Sequence, residues 1–106
     1  MGGDSMIRGT TPVLEFTLPF DTELLEEAYV TISQRGAVVI EKSIDECTLK
    51  HTMLSVRLSQ EETLELIAQR NLRVEIQLRV LTRDGEALAS NIETVDVGRI
   101  LKDGVI

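Results

Sequence analysis

The stretch Leu72-Arg73-Val74-Glu75-Ile76-Gln77-Leu78-Arg79-Val80-Leu81-Thr82 alternates apolar and polar side chains almost throughout. In a strand, successive side chains point to opposite faces. Leu72, Val74, Ile76, Leu78 and Val80 therefore make one dry face, and Arg73, Glu75, Gln77 and Arg79 make one wet face. A helix would scatter the same charges around its whole circumference. A long strand with one dry face belongs to an antiparallel sheet that covers a core on one side and shows the other side to water or to a partner.

Outward from this strand, Arg83-Asp84-Gly85 reverses the chain. A three-residue loop ending at Gly85 sets Val80 against Leu88 and Ile76 against Ile92, whereas a two-residue loop sets Ile76 against Glu93. The bulged three-residue loop is the expected one. Val95 and Val97 have the opposite parity, which calls for a second bulge near Glu93-Thr94 or passage to another sheet. Before the strand, Ser59-Gln60-Glu61-Glu62 reads as a capping box, followed by a helix of about ten residues over 60–69. Leu64, Ile67 and Ala68 would be its buried stripe, and Asn71 its left-handed stop.

The N-terminal half repeats the alternation. Pro12–Leu18 offers Leu14, Phe16 and Leu18 on one face and ends at Pro19. Phe20–Glu27 is a connector with a helical turn capped by Asp21 or Thr22. Ala28–Ser33 turns Ala28, Val30 and Ile32 inward and Tyr29, Thr31 and Ser33 outward. Gln34-Arg35-Gly36 leads into Ala37–Ser43, where a three-residue loop would pair Ile32 with Val38 and Val30 with Ile40, burying Val38 and Ile40. Ile44–His51 is irregular, with extended potential at Thr48–Lys50. Met53–Leu58 turns Leu54, Val56 and Leu58 inward. The sum is about six or seven strands and one short helix, which bury their dry faces as two packed antiparallel sheets.

The 106 residues suffice for one domain. Apolar residues make up 42% of the chain and aromatics only 3%, so its core is built of Val, Ile and Leu. The net charge of −7, with dispersed arginines, disfavours nucleic acid and anionic membrane as partners. A single cysteine, Cys47, excludes an intrachain disulfide. No stretch approaches the ~18 apolar residues of a membrane span. Met1–Thr11 lacks the apolar segment of a signal peptide, so synthesis without export is expected. The expected organisation is a disordered or tag-like segment over residues 1–10, one sandwich domain over 11–98, and a tail over 99–106.

Few residues suggest chemistry. Cys47 and His51 are the nearest thing to a nucleophile–base or metal pair, but zinc takes four ligands, and Asp45 and Glu46 would raise a thiol pKa. Asp45-Glu46 and Glu61-Glu62 lie in no calcium-loop pattern, and the second pair fits the first turn of a helix. There is no phosphate-binding glycine loop and no nucleophile elbow. No enzyme, metal or cofactor is expected. Two features instead suggest protein contact. One is the wet stripe of Arg73, Glu75, Gln77 and Arg79. The other is the apolar tail, Ile100, Leu101, Val105 and Ile106.

The strand Leu72–Thr82 with Arg83-Asp84-Gly85, the following Ala87-Leu88-Ala89-Ser90 and the closing Val95-Asp96-Val97, Ile100-Leu101 and Gly104-Val105-Ile106 resemble small proteins of phages and prophages of Gram-positive bacteria. Arg8-Gly9-Thr10-Thr11-Pro12 and Leu58-Ser59-Gln60-Glu61-Glu62-Thr63 fit the same pattern. It is similar to the immunoglobulin-like N-terminal domain of phage baseplate upper proteins. The resemblance implies an immunoglobulin-like sandwich serving as a structural or adaptor module of a virion, by self-association or docking on a larger assembly, with no catalytic residues. The chain lacks the paired cysteines and Trp of antibody-type domains. The alternative is a ligand-binding or regulatory sandwich with a pocket between its sheets.

Overall fold

A computed structural model describes residues 5–106. Among them are nine strands: β1 Ser5–Ile7, β2 Val13–Thr17, β3 Leu25–Gln34, β4 Ala37–Ser43, β5 Thr48–Lys50, β6 Met53–Arg57, β7 Arg73–Thr82, β8 Ala87–Ala89 and β9 Glu93–Gly98. One α-helix, α1, spans Gln60–Leu64, and two short 3-10 turns lie at Thr22–Leu24, capped by Asp21, and at Ile44–Glu46. The larger sheet runs β1-β9-β7-β3-β4, with β8 also paired to β7, and the smaller runs β2-β6-β5. All pairs are antiparallel except β1 with β9.

This is an immunoglobulin-like order. β2, β6 and β5 take the places of strands B, E and D, and β9, β7, β3 and β4 those of G, F, C and C′. β7 and β3 form the centre, in register from Ala28–Val80 to Gln34–Val74. Their inner residues Val30, Ile32, Val74 and Leu78 pack against Leu54, Val56 and Leu58 of the opposing sheet, all buried. No disulfide crosses between the sheets, so area removed from water does the work that a bridge does in antibody domains.

Several expectations are corrected. Strands outnumber the six or seven expected, because Ser5–Ile7 also pairs and the strand expected after Gly85 is broken into β8 and β9. Ser5–Ile7 is an edge strand with Met6 buried, not part of a disordered or tag-like segment; Met1–Asp4 lie outside the described residues. The β3–β4 turn has two residues, Arg35 and Gly36, both in the left-handed region at φ 59° and 75°. Ile32 therefore meets Ile40, and Val30 meets Lys42. A bulge at Val39 absorbs the parity, so Val38 is 62% exposed while Ile40 is buried. Lys42 is no buried charge: its stem covers the sandwich edge and its ammonium reaches Glu62 at 2.7 Å and Glu46 at 3.4 Å.

After β7, the three-residue loop closed by Gly85 sets Val80 against Leu88 as expected. The chain then breaks at Ser90–Ile92, and Ile76 meets Glu93 rather than Ile92. The parity change comes earlier than Glu93-Thr94, and the strand stays in the same sheet. Ser90 pins the break: its Oγ accepts from the Leu78 amide at 3.0 Å, and its own amide donates to the Leu78 carbonyl at 2.8 Å.

α1 has the expected capping box but only five residues, and it buries Thr63 rather than a Leu64–Ile67–Ala68 stripe. Side chains take over the backbone groups that further helix would use. Arg8 donates to the carbonyls of Leu64 and Leu66, and Gln34 bonds both the amide and the carbonyl of Ile67, each at 2.9 Å. Leu66 is buried beyond the helix, while Ile67 is 40% exposed. Asn71 is left-handed, at φ 64°.

Candidate protein-docking surface

The wet stripe of β7 lies on the outer face of the larger sheet. Arg73, Glu75 and Arg79 are exposed, and Gln77 is half-buried because its Nε2 donates to the Ser90 carbonyl at 3.0 Å. Register supplies the neighbours. Arg79 stands beside Tyr29, Gln77 beside Thr31, and Glu75 beside Ser33 on β3; Glu41 of β4 lies beyond Thr31. Arg79 also faces Ala89, and Leu81 faces Ala87, on β8.

Tyr29 is the chain's only tyrosine and is 41% exposed. With Arg79, Glu41, Leu81 and Ala87 it borders an open depression of about 520 Å³. Tyr and Arg are the side chains enriched in protein interfaces. Arg73 is paired with Asp96 at 3.2 Å, whereas Glu75 and Arg79 have no ion-pair partner among the described residues.

The tail differs from the stripe. Ile106 is tied back to Gln60 by two hydrogen bonds, of 2.8 and 3.2 Å, and Asp103 lies 3.6 Å from Arg8. Ile100 packs over Gly9, where an added Cβ would sit 3.0 Å from its Cδ1. Ile100 is therefore part of the domain, while Leu101 and Ile106 stay 92% and 88% exposed and Val105 half so. The structure does not bring stripe and tail residues together into one contact.

Cys47 donates its thiol to the Ser43 carbonyl at 3.3 Å. Burial, then the Glu46 charge, pushes its pKa up against a smaller opposite effect of Lys42. A protonated, half-buried thiol is a poor nucleophile. His51 is a left-handed turn residue whose carbonyl holds the amide and hydroxyl of Thr22. No cluster of three or more His, Cys, Asp or Glu among the described residues could hold a metal ion. The Lys42–Glu62–Glu46 group is a structural tie. Burial opposes the charge of Lys42, but both carboxylates outweigh it and raise its pKa. Burial likewise opposes ionisation of Glu62, yet Lys42 and the Ser59 amide bring it below the ordinary value. The Ser43 amide does most to lower Glu46.

No family model matches the chain, and no curated protein does. Two solved structures are similar. One is the immunoglobulin-like domain of mouse leukocyte-associated immunoglobulin-like receptor 1, a strand-swapped dimer. It is 12% identical, with 92% of this chain and 86% of that one covered at a TM-score of 0.49. The other, the extracellular domain of the same receptor, is 12% identical over 96% and 83% of the two chains, at a TM-score of 0.38. Neither likeness bears on partner or activity.

Proposed function

We propose that this domain is a non-enzymatic docking module that acts through protein–protein contacts as a structural or adaptor part of a phage or prophage tail or baseplate. The observation that carries the docking reading is the outer face of the larger sheet. It presents Tyr29, Arg79, Leu81 and Ala87 around one depression, with no element among the described residues laid over it. The raised thiol pKa of Cys47 and the structural place of His51 support a non-enzymatic role. The virion setting rests on the sequence resemblance alone.

Mass spectrometry of purified particles from the source strain tests the setting. Recovery of the chain at fixed stoichiometry in the tail fraction is the expected result, and its absence from particles would overturn it. In the same particles, Arg79→Glu is expected to reduce incorporation while the isolated domain keeps its melting temperature.

A second reading has one observation in its favour. Leu18, Pro19, Phe20, Leu78, Val80 and Leu88 line an apolar groove of about 280 Å³ where the sheets part. Small-molecule sites begin at about 300 Å³, so the groove is small for that purpose. Binding of an apolar fluorescent probe that Leu88→Glu abolishes would favour a ligand there.

A further inference from the structure

On the outer stripe of β7, Arg73 is tied to Asp96, and the two remaining charges flank Gln77. Gln77 is central, Glu75 lies two residues before it and Arg79 two residues after it, all on one face. Among the described residues neither Glu75 nor Arg79 has an ion-pair partner within the domain. A minus–neutral–plus pattern is self-complementary under a twofold rotation that reverses the strand. An axis crossing β7 at Gln77, in the plane of contact, sets Arg79 of one copy over Glu75 of the other, twice. An axis running along β7 would set like charge on like charge, which is unfavourable.

We propose that the outer face of the larger sheet is an isologous interface between two copies of this chain, with their β7 strands crossing antiparallel at Gln77. The inference rests on the docking reading of this face and names its occupant. The area suits a second copy. The sheet is five strands wide and β7 is ten residues long. The flanking strands are shorter, from three to ten residues, so at about 4.8 Å per strand and about 3.3 Å per residue the face covers roughly 600 Å². That is the lower end of what each partner buries in a standard stable interface, about 600–1,000 Å².

The geometry tolerates sheet twist. Packed sheets cross at about 30°, and a residue two places from the axis lies about 7 Å out, so Arg79 and Glu75 are displaced by only about 3–4 Å, within an arginine's reach. Tyr29, beside Arg79, comes over Ser33 of the other copy and loses its solvent exposure. One opposed pair is alike: Glu41 is level with Gln77 through Thr31, and meets its own copy two strands away, at the rim.

Sedimentation velocity of the full chain over a dilution series tests this, with Arg79→Glu, Glu75→Arg and their equimolar mixture. Both positions are exposed, and unchanged melting temperatures confirm that the variants fold. The wild type is expected to dimerise, and each variant alone to weaken self-association by about tenfold or more, because each sets like charges together. The mixture is expected to form a dimer again, since one partner supplies two acids and the other two arginines. A wild type that stays monomeric at high concentration would overturn self-pairing while leaving the docking reading to the particle measurement. A dimer that neither variant weakens, or a mixture that stays monomeric, would also overturn it.

Discussion

The two faces of β7 are built from alternate residues of one ten-residue strand, yet they do different jobs. Val74, Ile76, Leu78 and Val80 are buried against the opposing sheet and hold the sandwich together. Glu75 and Arg79 face outward on either side of Gln77 and add little to stability, because exposed charges are well solvated. Damage to the inner face should cost folding and spare nothing else, whereas damage to the outer face should spare folding and cost association.

The largest effect comes from the inner face. Leu78→Ala leaves a cavity between Val30 and the opposing sheet and is expected to destabilise the domain by about 2–5 kcal/mol, measured by urea unfolding. A loss under about 0.5 kcal/mol would mean that the sheets do not pack as described. Gln34→Ala comes next. It deprives the Ile67 amide and carbonyl of their partner where Gln34 is buried, and is expected to cost about 1–3 kcal/mol.

Lys42→Met sharpens the contrast through pH. Glu62 and Glu46 have folded pKa values below their unfolded ones, so they stabilise the fold above the unfolded value and cease to do so as pH falls through the folded one. Lys42, raised, stabilises below its unfolded value and stops as pH rises through its folded one. Without Lys42, thermal stability should fall at neutral pH and its acid-side slope should flatten. An unchanged slope would show that the tie contributes nothing. The smallest effect is outside. Glu41→Gln removes the one like-charge pair at the rim and should tighten self-association slightly, with no change in melting temperature.

The inner face was legible because burial imposes a period of two that no charge interrupts, so strands, faces and most core residues follow from the sequence. Register was legible only where nothing local competed. Arg83-Asp84-Gly85 gave the predicted pairing of Val80 with Leu88. Arg35-Gly36 did not follow the same rule, because arginine accepts a left-handed conformation there and Val39 bulges out. With a two-residue turn, parity alone would set Glu41 opposite Val30; the bulge brings Lys42 there instead, and its long stem carries the charge to Glu62. The helix was overestimated for a related reason: Arg8 and Gln34, distant in sequence, capture the backbone groups that a longer helix would need. In the candidate surface the stripe itself was readable, but the place of Tyr29 beside Arg79 depends on the β3–β7 register, and the anchoring of Ile100 depends on Gly9.

The most direct measurement places one thiol at the axis. In a Cys47→Ser background, Gln77→Cys is treated with a bis-maleimide short enough to span the about 10 Å between packed sheets. Thr48→Cys, on the smaller sheet, serves as the control. The account predicts rapid cross-linking to a dimer through position 77, little through position 48, and loss of the cross-link when Arg79→Glu is added. Equal cross-linking at the two positions, or none at position 77, would contradict it.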